Sequence, residues 1–131
     1  MSASDPASPA EVVRAFWRLM ASNDFHAVKA VLADEVVVEW PQSGERIRGA
    51  DNFARMNAEY PTQGIWHFRI NRLLADGDQV VTQVSLGDGV QSAEPVSFFT
   101  VAGGKIVRLL EYWPDPYPAP ANRAHLVERM D

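Results

Sequence analysis

Glu111 is the side chain in this chain that most needs a reason. It lies in Lys105-Ile106-Val107-Arg108-Leu109-Leu110-Glu111-Tyr112-Trp113, a strand-favouring run that opens on Gly103-Gly104 and stops at Pro114. A lone carboxylate beside two large rings is either solvated on a wet face or enclosed with them. Enclosure would raise its pKa and fit it for acid–base work. A second such run, Val36 to Trp40, carries Glu39 just before Pro41. If the two carboxylates met in an apolar space they could not both ionise freely. One would serve as base toward a C–H or a water, the other as acid toward an oxygen. The competing reading is ion pairing, of Glu39 with Arg46, Arg48 or an arginine on a neighbouring strand, and of Glu111 with Arg69 or Arg108. The sequence leaves both open.

His67 is a further proton carrier by type. It alternates with Trp66 and Phe68, so it faces solvent if those rings face the core, and joins Glu111 if the face is reversed. Trp17, Trp40, Tyr60, Trp66, Phe98, Phe99 and Trp113 could line a pocket or simply fill a core. The histidines at 26, 67 and 125 have no metal-ligand spacing, so no metal is expected, and no glycine-rich loop precedes a helix as a phosphate site requires.

Composition narrows the setting. The 131 residues are 47% hydrophobic, enough for a substantial core, and no apolar run approaches the length that crosses a bilayer. A net charge of -5 with scattered basic residues argues against nucleic acid. The absence of cysteine fits a cytoplasmic protein, and the small polar start does not read as a signal peptide.

These residues must be held by elements that can be read in order. Ser8, Pro9 and Glu11 form a helix start, and Val13, Phe16, Trp17 and Met20 recur on one face to about Ser22. A shorter helix follows Asp24, then the strand Val36 to Trp40, a polar loop from Gln42 to Gly49, and a helix from Ala50 to Tyr60. From Trp66 the period becomes two. Turns at Asp76-Gly77, Gly87-Asp88-Gly89 and Gly103-Gly104 divide an antiparallel meander whose third strand is Gln91 to Ala102. Four prolines between Pro114 and Pro120 enforce an extended segment, and Asn122 is expected to cap a last helix, Arg123 to Met130. The expected division is a disordered leader (1–8), one domain (9–118) and a C-terminal extension with a short helix (119–131). The class is α+β.

The ordered set of Phe16-Trp17, Asn23-Asp24-Phe25, Val36 to Trp40 ending at Pro41, Arg48-Gly49-Ala50, and Gly104-Lys105-Ile106 leading to Glu111-Tyr112-Trp113 resembles the nuclear transport factor 2-like superfamily. Within it the likeness is to the SnoaL-like group of polyketide cyclases, limonene epoxide hydrolases and steroid isomerases. The resemblance implies a cystatin-like α+β cone. A curved mixed or antiparallel sheet would carry N-terminal helices on its concave face around an apolar cavity, and a homodimer would form through the outer sheet face. In the family's epoxide hydrolases the last strand reads aromatic-x-Asp-Tyr-Phe-Asp, with the first Asp in the cavity. Leu109 to Pro114 matches that frame, which implies that Leu109, Glu111 and Trp113 point inward and that Pro114 replaces the second acid. The matching end of the first strand implies an inward Val37 and Glu39. The family's Arg-x-Asp pair falls near Val84 and Leu86, so the hydrolase charge relay is absent.

The expected site is therefore Glu111 and Glu39 as catalytic groups, with Trp113, Tyr60, Val37, Leu109, Trp17 and His67 as ligand contacts. The expected activity is cofactor-independent acid–base chemistry (isomerisation, cyclisation, dehydration or hydrolysis) on a small apolar or polycyclic molecule. The alternative is a non-catalytic binding or dimerisation module of the same fold.

Overall fold

The computed structural model describes residues 7–130. Helix α1 (Pro9–Ala21) begins on a reciprocal cap: the Glu11 amide donates to Ser8 Oγ at 3.2 Å and the Ser8 amide to Glu11 Oε1 at 2.8 Å. Such a box satisfies two helix-start donors and stabilises by about 1 kcal/mol. The leader expected over 1–8 lies outside the described residues except for Ala7 and this cap. Past α1, Asn23 adopts a left-handed conformation (φ 63°). Its side chain both donates to the Trp66 carbonyl (2.9 Å) and accepts from the Trp66 amide (2.8 Å), tying the helix end to the segment around Trp66.

A 3-10 segment (Phe25–Val31) leads into β1 (Leu32–Trp40), β2 (Glu45–Arg48) and α2 (Ala50–Glu59). Then come β3 (His67–Asp76), β4 (Gln79–Gly87), β5 (Ser92–Ala93), β6 (Val96–Ala102) and β7 (Lys105–Tyr112). The sheet order is β2-β1-β7-β6-β4-β3 with β5 beside β4. Among the described residues β1 pairs with β7 in parallel and the other pairs are antiparallel. This is an α+β fold in which a curved, open sheet carries the N-terminal helices on its concave face.

Three differences from the sequence reading have local causes. The segment read as a polar loop contains β2, because Glu45 to Arg48 pair with the end of β1 and set Arg46 directly opposite Glu39. The strand expected over Gln91 to Ala102 is broken between β5 and β6 by Glu94-Pro95, since proline has no amide to give to a ladder. The helix expected over Arg123 to Met130 is only a 3-10 turn at Ala121–Arg123. Leu126, Val127 and Met130 are exposed there, and a short helix with no covered apolar face has nothing to offset its nucleation cost.

A bulge sets the facing of β7. Thr100 pairs with Arg108 but Val101 with Ile106, so Val107 is an extra residue and the alternation slips by one. Ile106, Leu109 and Glu111 consequently share the inner face. The core beneath is aromatic. Phe16 meets Phe99 edge-on at 5.2 Å between ring centres, and Trp17 sits 5.9 Å from Phe68. Fully burying a side chain such as Phe16 or Phe99 contributes roughly 1.5–3 kcal/mol.

Candidate active site

Glu111 is 4% exposed and is one of the residues lining an open pocket of about 590 Å³. Two donors hold it. Trp40 Nε1 donates to Oε1 at 3.0 Å from the parallel neighbour β1, and Ser97 Oγ donates to Oε2 at 2.6 Å from the opposing position on β6. Burial pushes the Glu111 carboxyl above its ordinary pKa, and the hydrogen bonds from Ser97 and Trp40 oppose that shift. The result is a carboxyl with fixed orientation that can carry a proton.

Trp113 continues on the same side and lies edge-on to Trp40, with ring centres 6.3 Å apart. Its Nε1 is buried without a hydrogen-bond partner, although its backbone amide donates to Gln42 Oε1. Trp17 also lines the pocket, its own Nε1 donating to Thr82 Oγ1 at 3.2 Å. Tyr60 stands at the rim, 52% exposed and edge-on to Trp66.

The remaining expected residues lie elsewhere. Glu39 and Glu111 do not converge. Val36 and Val38 are buried in the core, so strand alternation turns Val37 and Glu39 to the outer face and Trp40 inward. There Glu39 is paired with Arg46 (2.8 Å) and with Arg108. The Arg46 hydrogen bond, aided by the charge of Arg108, keeps its carboxyl below the usual range. Leu109 is a core residue rather than part of the pocket wall. His67 is exposed and outside the pocket, as the alternation with Trp66 and Phe68 requires. Phe98, among the aromatics considered for lining, is on the outer face.

Sequence reasoning missed Ser97 as a holder of Glu111, although the Gly103-Gly104 turn pairs β6 with β7 and brings those two positions face to face. It also missed Asp88. This buried carboxylate accepts from the amides of Gln63 (2.8 Å), Val90 (2.9 Å) and Gln91 (2.8 Å), and from the side chains of Gln91 and Thr62. Those bonds, led by the Gln63 and Gln91 amides, hold its pKa far below the usual carboxylate range. Asp88 thereby joins the segment after α2 to the turn after β4, and Gln91 of that turn lies in the pocket wall.

A profile of the SnoaL-like domain matches residues 13–109. The chain belongs to the SnoaL-like domain family. No curated protein matches it in sequence. Among solved structures, a candidate ketosteroid isomerase from Kribbella flavida is 35% identical, with a TM-score of 0.85 over 94% of this chain and 90% of that one. An NTF2-like protein of unknown function from Burkholderia xenovorans is 29% identical, with a TM-score of 0.77 over 94% of this chain and 95% of that one. An LEH-like epoxide hydrolase from M. tuberculosis is 27% identical, with a TM-score of 0.67 over 81% and 82%. This SnoaL-like chain thus shares its fold family with isomerases and epoxide hydrolases. Among the described residues no helix is long and apolar enough to cross a membrane.

Proposed function

We propose that this protein is a cofactor-independent acid–base enzyme whose proton carrier is Glu111 alone, acting on a small, largely apolar molecule. The observation that carries the reading is the buried carboxyl in the pocket wall, oriented by Trp40 and Ser97 and shifted upward by burial. A single carboxylate suits a proton shift better than a reaction needing separate acid and base. Ionised Glu111 removes a proton from the carbon between a carbonyl and a double bond, leaving a dienolate and a neutral acid. The acid returns the same proton to the far end of the conjugated system, and the carboxylate is restored. Trp113 Nε1, buried without a partner, is the available donor for the developing oxygen. The likeness to a candidate ketosteroid isomerase supports this reaction class, and a pocket of about 590 Å³ falls within the roughly 300–1,000 Å³ of ligand sites.

The test uses β,γ-unsaturated cyclic ketones, from single rings to steroid size, followed by the growth of conjugated-enone absorbance. Wild type is expected to accelerate conversion and Glu111→Gln to lose about 10²- to 10⁴-fold of that acceleration. Equal rates in the two proteins would end the reading.

A second reading, a non-catalytic binder of the same molecules, is favoured by Pro114 in place of a second acid and by Leu86 in the pocket wall where the resemblance would place an acid. Saturable ligand binding with no turnover across the ketone series would select it. Either reading includes a homodimer through the outer sheet face. Phe98 and Tyr112, each 39% exposed, stack edge-on there beside Leu110 and Val81.

A further inference from the structure

We propose that the molecule bound in this pocket carries a cationic nitrogen, so that the substrate class is a hydrophobic amine or quaternary ammonium compound rather than a neutral or acidic one. The charges of the wall point that way. Glu111 lies inside, Glu45 and Asp115 stand at the mouth, and among the described residues no Lys, Arg or His contributes to the wall. Among the described residues Glu111 has hydrogen-bond donors but no ion-pair partner, so the countercharge of its ionised form is left to the ligand. A bound anion would meet three carboxyl groups with no compensating cation.

The apolar part of the wall agrees. All four tryptophans of the chain, Trp17, Trp40, Trp66 and Trp113, lie in it. Indole faces attract cations more strongly than other rings do, and the attraction grows when water is excluded. Trp40 and Trp113, set at 84° to each other beside Glu111, offer two perpendicular ring systems next to its buried carboxyl. A cation seated there would meet ring and carboxylate together, and its charge would also acidify the neighbouring C–H bonds that the proposed reaction breaks. The assignment rests on the reading of Glu111 as the group that faces the bound molecule.

Three probes of similar shape test it: benzyltrimethylammonium, its neutral isostere neopentylbenzene, and anionic phenylacetate. Binding is read by tryptophan fluorescence and calorimetry. The cation is expected to bind at least about tenfold more tightly than the neutral isostere, with Glu111→Gln abolishing most of that preference and holding neopentylbenzene within about twofold of wild type. Because Glu111 is buried, the exposed pair Glu45→Gln/Asp115→Asn provides a variant that spares the core. It should lower cation affinity by about threefold at low salt and have no effect at high salt. Tighter binding of neopentylbenzene or phenylacetate by wild type, or a cation preference unchanged in both variants, overturns the assignment. Failure here and failure of the acid–base reading are separable. Glu111-dependent turnover of neutral enones with no cation preference removes only the amine assignment. A Glu111-dependent cation preference without turnover of any enone upholds the amine assignment and removes only the catalysis.

Discussion

Glu111 trades stability for chemistry, and pH exposes the exchange. Its folded pKa is raised, so the native state binds the proton more tightly than the unfolded chain does. Its contribution is therefore best in acid and is lost as pH rises from the unfolded carboxyl value, about 4.3, through the raised folded value. Glu111→Gln, whose amide can accept from Trp40 and donate to Ser97, should melt at or above wild type at pH 8, with the gap closing toward pH 4. Thermal melts across that range check this, and a variant that is less stable at every pH would contradict it. Trp40→Phe keeps a ring but removes one donor to the carboxylate. The ascending limb of the pH–rate profile should then move to higher pH, since Glu111 loses a hydrogen bond that favours its charged form. An unmoved limb with a lower rate would reduce Trp40 to packing.

Between elements, the clamp at Asp88 decides how firmly one side of the pocket is held. Its pKa is depressed in the folded state, so the stability it contributes is present above the unfolded value of about 3.9 and is lost as pH falls below it. Asp88→Asn puts an amide group where amides already donate. We expect it to lower the melting temperature by several degrees at pH 7, to have far less effect near pH 3, and to raise hydrogen exchange at Gln63 and Gln91. Equal destabilisation at both pH values would mean that charge is not the reason. The β7 bulge matters at this scale too. Without the extra residue at Val107, Leu109 and Glu111 would lie on the face opposite Ile106, and the acid would leave the pocket.

At the scale of the whole molecule, the outer face presents Phe98 and Tyr112 to solvent in one chain. Phe98→Glu should leave the fold intact, because the side chain is outside the core, and should convert a dimer into monomers in sedimentation. A wild-type chain that sediments as a monomer would remove the proposed interface. The tail tells the same story of context. Pro114, Asp115 and Pro116 border the pocket, while Leu126, Val127 and Met130 beyond them stay exposed among the described residues and do not form a helix.

Much of this was written locally. Ser8 with Glu11 announces the first helix, Gly-rich turns punctuate the meander, and an isolated acid between apolar residues marks Glu111 as unusual, because capping, turn formation and alternation depend on neighbours in sequence. The partners of that acid were not legible. Trp40 is 71 residues away and Ser97 is 14, and only strand order and register bring them to the two oxygens. Glu39 had an acid's chemistry too, but strand parity, anchored by the buried Val36 and Val38, sent it outward to Arg46 and Arg108. The sequence by itself determined the first helix, the meander turns and most strands, though not β2, the break before β6 or the end of the tail, and it marked one carboxylate as awkward in the last strand. The tertiary structure decided which of two glutamates keeps a raised pKa, because burial and hydrogen bonding belong to the assembled sheet, not to any stretch of chain.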